Sequence, residues 1–494
     1  MPLPDAGSPP EPHPSAHGCS PSPAGGETRA EGYDLLRLRW VRALVTWPLF
    51  PYVFQAVFLA AFVGLAVLGQ GKVPPEGVPD KLYAKSNLVN LVIWGLWWPA
   101  MVWAMVLVGR VWCAVCPLEL VSNVSERLGR RLGIRQMVLA GWLRAGGLVL
   151  AGYVLLQLLV AGVHLHRVPG YTSWFLWIAL GAAVVAGLLW KDRAFCRGFC
   201  PVGLMLAVYG RGGMLAVRPR SGFACDGCQG KDCVRPDLRT RPDARSCPSL
   251  LNPGRLDRSN DCLVCGQCVK VCAPGNMGLL VRRPFSALDA REVLASWPVT
   301  LFVMAISGFV VSELCSEWES AKTVYLWVPT AVSKALAGNA AAGWIEGLWT
   351  IVVVPALVWP ILGGLVLAAR GAPTLADAWR RIALPVAVLA AAGQLAKGLA
   401  KFVSWVGFLP LALRDPAGVD TALAINTKAI PPPAAIVPMP AVSILAMLLV
   451  LAGGWLALRE FRLIHPATHR RYAGPVVLLT AWFLFITFGW GYLS

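Results

Sequence analysis

Charge is scarce in this chain of 494 residues, at 14% Asp, Glu, Lys and Arg against 56% hydrophobic residues. That is too little charged surface for an ordinary soluble protein. Histidines number six, and no pair of them falls mid-way along two hydrophobic runs, so a haem held by two intramembrane imidazoles has no ligands. There is no G-x-x-x-x-G-K-[ST] and no strand leading into a glycine-rich phosphate turn, which argues against ATP hydrolysis and against an integral nicotinamide site. Residues 1–33 also lack a charged start followed by an apolar stretch, so no cleavable signal peptide is expected there. Rich in Pro, Ser, Gly and Ala, residues 1–35 read as a disordered tail, with Cys19 an incidental thiol in it.

What is abundant is hydrophobic length. Runs able to cross about 30 Å of hydrocarbon occur near 48–69, 88–109, 146–163, 172–190, 294–313, 344–369, 384–409, 440–458 and 475–492. The expected fold is therefore an all-α polytopic bundle of about nine spans in contact with the lipid bilayer. The net charge of +18 could suggest nucleic acid, but 34 of the 44 Lys and Arg fall in alternate loops if the amino terminus is inside. That asymmetry orients a protein in the cytoplasmic membrane, with no nucleic acid implied. Pairs such as Trp97 and Trp98 fit interfacial anchoring.

The most basic loop also holds eight cysteines within 48 residues. "CLVCGQCVKVC" supplies Cys262, Cys265, Cys268 and Cys272 with gaps of two, two and three residues, and Cys225, Cys228, Cys233 and Cys247 lie upstream. In two-cluster ferredoxin logic the fourth cysteine of each run serves the other run's cluster. Cys225, Cys228, Cys233 and Cys272 would then hold one 4Fe-4S cluster, and Cys262, Cys265, Cys268 and Cys247 a second. Zinc sites and a disulfide framework are the alternatives. The loop, residues 214–290, is expected to be a small α+β ferredoxin-like domain on the cytoplasmic side, inserted between membrane helices at 36–213 and 291–494.

Two further motifs end inward-running spans. "RVWCAVCP" carries Cys113, Cys116 and Pro117, and "RAFCRGFCP" carries Cys196, Cys200 and Pro201. Four thiols should meet at the cytoplasmic mouth of the bundle, beside Arg110 and Arg193, as a third metal or cluster site, as redox-active thiols or as structural helix ends. With these motifs the chain resembles the polytopic ferredoxin-type membrane proteins of the nitrate and nitrous oxide reductase systems, NapH-like and NosR-like, over roughly residues 45–285. The second motif matches the family's C-x3-C-P, and the first is one residue shorter.

The expectation that follows is electron transfer between the quinone pool and a redox partner protein through two 4Fe-4S clusters, as in a quinol dehydrogenase-type subunit. The alternative is an assembly factor that reduces a metal or thiol for a respiratory enzyme. Lys397 and Lys401, four residues apart on one helix face, need an offset in the membrane. Glu346 is the expected partner of Lys397, and the two together a candidate quinone site. His164 and His166 read as solvated loop residues, His465 and His469 as part of a basic loop, and Cys315 as inert.

Overall fold

The computed structural model describes residues 32–284, 294–336 and 341–493. Most of the expected tail, Cys19 and Ser494 lie outside the described residues. The tail's expected boundary is corrected at its end, because Tyr33–Asp34 forms a strand, β1.

Among the described residues eight helices are long and apolar enough to cross a membrane, from Tyr52–Gly69 to His469–Tyr492. The expected run at 146–163 appears as a shorter apolar helix, Gly147–Gly162. At 1.5 Å per residue it is about 24 Å long, just under the hydrocarbon thickness. Before its start Gly146 packs on Leu204 and Pro298, and at its end Gly162 meets the ring of Trp344. It therefore runs from the end of the bundle that bears the cysteine loop to the opposite end. The helix Glu319–Leu336 was not anticipated; its sequence is only weakly apolar, and Val324 and Trp327 are exposed.

Leu375–Trp405 is buried along nearly its whole length. Residues 386–393 are all Val, Ala, Leu and Gly, so this stretch suits the centre of a bundle rather than the rim. Met439–Ile464, Trp297–Cys315 and Trp98–Val108 pack around it. Small residues permit the close approach: Gly393 faces Val310 and Phe483, and a Cβ at Gly453 would run into Ala392.

Outside the spans stands one small antiparallel sheet of order β1-β3-β2, in which β2 is Leu215–Pro219 and β3 is Met277–Val281. Ala216 faces Leu280 and Val217 faces Leu279 in the register. All eight clustered cysteines lie on the chain between β2 and β3. The sheet is fixed to the bundle, since the Met214 amide donates to the Leu107 carbonyl at 2.8 Å. Arg220 pairs with Asp34 at 2.7 Å, which ties β1 to the end of β2. Lys270, in the cysteine loop, donates to the Trp47 carbonyl at 2.7 Å and to that of Phe50, at the foot of the first span.

Candidate metal centres

The thirteen described cysteines are all free thiols. Cys265 is pushed up to about 12, first by burial and then by the charges of Cys247 and Cys262. Burial also raises Cys268, which feels Cys265, Cys262 and Cys247 in turn. These four thiols form one group. Cys233, pushed up to about 11 by burial, has Cys272, Cys225 and Cys228 as its charged neighbours. Those four form the other, and they line a cavity of about 940 Å³ together with Asn252, Arg255 and Asn276. The structure thus brings Cys272 to the upstream cysteines and Cys247 to the downstream run.

The loop reaches this arrangement through unusual backbone. Val264 and Gly266 take left-handed conformations, with φ of 54° and 70°, and for a β-branched residue that is a strained choice. Backbone amides turn toward sulfur as a result. Those of Val264 and Gln267 serve Cys262 and Cys265, and those of Asn276, Gly275 and Met277 serve Cys272. The Asn276 side-chain amide donates to Cys225 Sγ at 3.1 Å. Among the described residues no three or more His, Cys, Asp or Glu close around a single metal ion. Sets of four thiolates supplied with N–H donors, one set around a cavity, fit a polynuclear cluster, whose sulfurs stand apart by the width of the cluster.

The two C-P motifs differ by one residue, and the backbone absorbs the difference. Val111–Val115 is a short α-helix before Cys116, whereas Phe195–Phe199 is a π-helical turn, closed by the Cys200 amide on the Phe195 carbonyl at 2.9 Å. Cys116 and Cys200 then share an extended conformation, with ψ of 128° and 114°. Pro117 opens the next helix, Pro117–Arg131. Burial raises Cys116 most, followed by the charges of Cys196, Cys113 and Cys200. Four thiols again meet.

Glu119, two residues beyond Pro117, joins this group to the cysteine domain. It is buried, with Arg193 at 3.1 Å and Arg245 at 2.8 Å, and Gln55 donates to it at 2.6 Å. Burial alone would raise its carboxyl, but Arg245 and Arg193 hold it below the usual carboxylate range. Arg193 senses the charges of both Cys196 and Cys265, so it stands between the membrane-edge thiols and the nearer set in the domain. Arg110 donates to the Asn260 carbonyl at 2.9 Å across the same junction. Only the acid's position two residues after C-P could have marked Glu119 in the sequence.

Lys397 and Glu346 line one cavity of about 490 Å³ at the end of the bundle away from the twelve clustered cysteines, and Cys315 lines it too. The expected ion pair between them is corrected. Lys397 bonds Glu317 and Ser316, each at 2.6 Å, with Glu313 at 3.6 Å. The helix Trp297–Cys315 ends beside it, with Glu313 in its last turn and Glu317 just past its end. Lys401 stacks over Trp405 at 5.0 Å. His164 and His166 line the same cavity; His166 Nδ1 meets the Val160 carbonyl at 3.1 Å, so it is not a freely solvated loop residue, whereas His164 stays in a loop, partly exposed, with Asp80 at 3.3 Å.

A family described as a 4Fe-4S binding domain matches residues 90–135 and 172–221, the segments that contain both C-P motifs. Ferredoxin-type protein NapH of Haemophilus influenzae is 32% identical over 190 residues, covering 34% of this chain and 61% of the relative. The chain is thus similar to NapH-like ferredoxin-type membrane proteins over the part that carries the C-P motifs. NapH of Escherichia coli is 27% identical over 186 residues, 33% of this chain and 59% of its own. The methylamine utilization ferredoxin-type protein MauN of Methylobacillus flagellatus is 27% identical over 139 residues, 26% and 47% of the two chains. The chain thus spans less than two thirds of the length of these relatives. No solved structure matches.

Proposed function

We propose that this protein is a membrane-bound electron carrier linking the quinone pool to a redox partner protein, with 4Fe-4S clusters on Cys225, Cys228, Cys233 and Cys272 and on Cys247, Cys262, Cys265 and Cys268. A third set, Cys113, Cys116, Cys196 and Cys200, holds another cluster at the membrane edge. The observation that carries this reading is the convergence of twelve cysteines into three groups of four. A 4Fe-4S cluster supplies reversible one-electron storage at a potential set by its surroundings. The residues do the rest. Arg193, Glu119 and Arg245 hold the membrane-edge thiols against the domain, and the amides of the cysteine loop bond sulfur. Lys270 fastens that loop to the first span. The asymmetry of the basic loops supports a cytoplasmic domain and amino terminus and, if the short helix Gly147–Gly162 also crosses to make nine spans, an outer carboxyl terminus.

The test is reduction of the purified protein by decylubiquinol, followed by visible absorbance and low-temperature EPR. Reduction without dithionite is expected. Clusters that respond to dithionite alone would contradict the quinone link. Deletion in the host separates a carrier from an assembly factor, since losing a carrier leaves the partner enzyme intact but unreduced, whereas losing an assembly factor leaves it without its metal.

A further inference from the structure

The cavity that holds Lys397 contains a side chain with unmet needs. Gln394 is only 5% exposed and lines the cavity, yet neither its amide nitrogen nor its amide oxygen has a hydrogen-bond partner. A buried amide left so carries a desolvation penalty that a ligand with a matching donor and acceptor would remove. Around it the wall is of two kinds. Trp94, Trp98, Pro99, Val102 and Ile351 give an apolar face, and Glu313, Glu317, Glu346 and Lys397 give an ionisable one. A flat ring with oxygen substituents and an apolar tail fits both faces.

One wall of the cavity also leads to the cysteines. Trp98 lies 6.4 Å from Trp97, ring centre to ring centre, and Trp97 lies 5.3 Å from Trp112. Trp112 adjoins Cys113 in the chain. The turn after Val108 makes this possible, because Gly109 adopts a φ of 80° and sends the chain back along the helix it has just left. Two ring contacts therefore separate the cavity from the membrane-edge thiols.

We propose that this cavity is the quinol site, that Gln394 binds the head group, and that Trp98, Trp97 and Trp112 form the packed bridge to the Cys113 set. The inference rests on the reading of the protein as a quinone-linked iron–sulfur carrier and says where in the chain that link is made. The step is the loss of two electrons and two protons by a quinol, which becomes the quinone. The electrons leave one at a time over the indoles toward the iron–sulfur group of the membrane-edge cysteines, which would take up one and pass it to the domain's clusters before the second arrives. The indoles supply dense matter for tunnelling and are not themselves oxidised. The protons leave through the carboxylates of the cavity, at the end of the bundle opposite the cysteine domain.

The experiment uses the holoprotein in detergent and has two readouts. Calorimetric titration with decylubiquinone measures binding apart from any turnover, and stopped-flow absorbance measures reduction by decylubiquinol. Gln394→Leu should weaken binding about tenfold, with Gln394→Asn intermediate, while iron content and dithionite reduction stay normal. Trp97→Leu should leave binding unchanged and slow reduction by the quinol at least about tenfold, and Trp97→Phe should recover much of the rate. Quinol reduction and quinone affinity at wild-type levels in Gln394→Leu and Trp97→Leu would overturn this assignment and leave the quinone-linked reading standing. A wild-type protein that neither binds decylubiquinone nor is reduced by the quinol would overturn both.

Discussion

The two cysteine sets of the extramembrane domain each join three cysteines of one run to one of the other but stand in different surroundings. Around Cys262, Cys265 and Cys268 the neighbours Leu263, Val264, Gly266 and Gln267 are buried, whereas around Cys225, Cys228 and Cys272 the neighbours Asp226, Gly227, Gln229, Ala273 and Pro274 are exposed. The first set faces the membrane junction through Arg193 and Arg245. The second opens into a broad cavity rimmed by Asp232, Arg235, Asp237 and Arg255. The sets meet where Cys268 feels the charge of Cys233. That difference gives the domain a direction. On the proposed function, the inner set would exchange electrons with the membrane side and the outer set with a redox partner protein.

The contrast is broken most severely by removing a ligand from one set at a time. Cys265→Ser should cost about four irons per chain and leave the outer set loaded but no longer reducible by quinol, whereas Cys233→Ser should cost about the same iron and leave quinol reduction of the inner set intact. Iron analysis and EPR of both variants check this. Next in size is the junction. Glu119→Ala leaves Arg193 and Arg245 as buried, unpaired charges, a loss of about 3–5 kcal/mol, read as a fall in the denaturant midpoint for release of iron. Glu119→Gln, which keeps a hydrogen-bond acceptor, should lose less. The smallest effect sharpens the comparison within the outer set: Asn276→Leu removes an N–H donor from Cys225. Hydrogen bonds to sulfur favour the reduced, more negative cluster, so its potential should fall by on the order of 50 mV, measured by redox titration, with the inner set unmoved.

The grouping of the thiols was legible in the spacing, because a C-x2-C-x2-C-x3-C loop turns its last cysteine away from its first three and toward the other run. Hydrophobic run length likewise located the membrane helices, including the short one at Gly147–Gly162. Less local features were not legible. A two-residue strand such as Tyr33–Asp34 carries no periodic pattern, and its pairing with β3 depends on chain some 250 residues away. The partner of Lys397, Glu317, stands just past the end of Trp297–Cys315, whereas Glu346 is on a different helix, Ala342–Leu348, and which acid reaches the lysine is set by how the helices pack rather than by any local pattern. Gln394 looked like one more residue in a small-residue helix, since an unmet hydrogen bond is visible only once its surroundings are fixed. The one-residue difference between the C-P motifs has no counterpart in the sequence pattern that explains it, and a π-helical turn at Phe195–Phe199 accommodates it.

The central claim is that three groups of four cysteines each hold a cluster, and counting metal tests it most directly. Iron and acid-labile sulfide, measured on anaerobically purified protein, should each come to about twelve per chain, falling to about eight when Cys113, Cys116, Cys196 and Cys200 are all replaced by Ser. Zinc without labile sulfide, or an iron content unchanged by that fourfold replacement, would contradict the account.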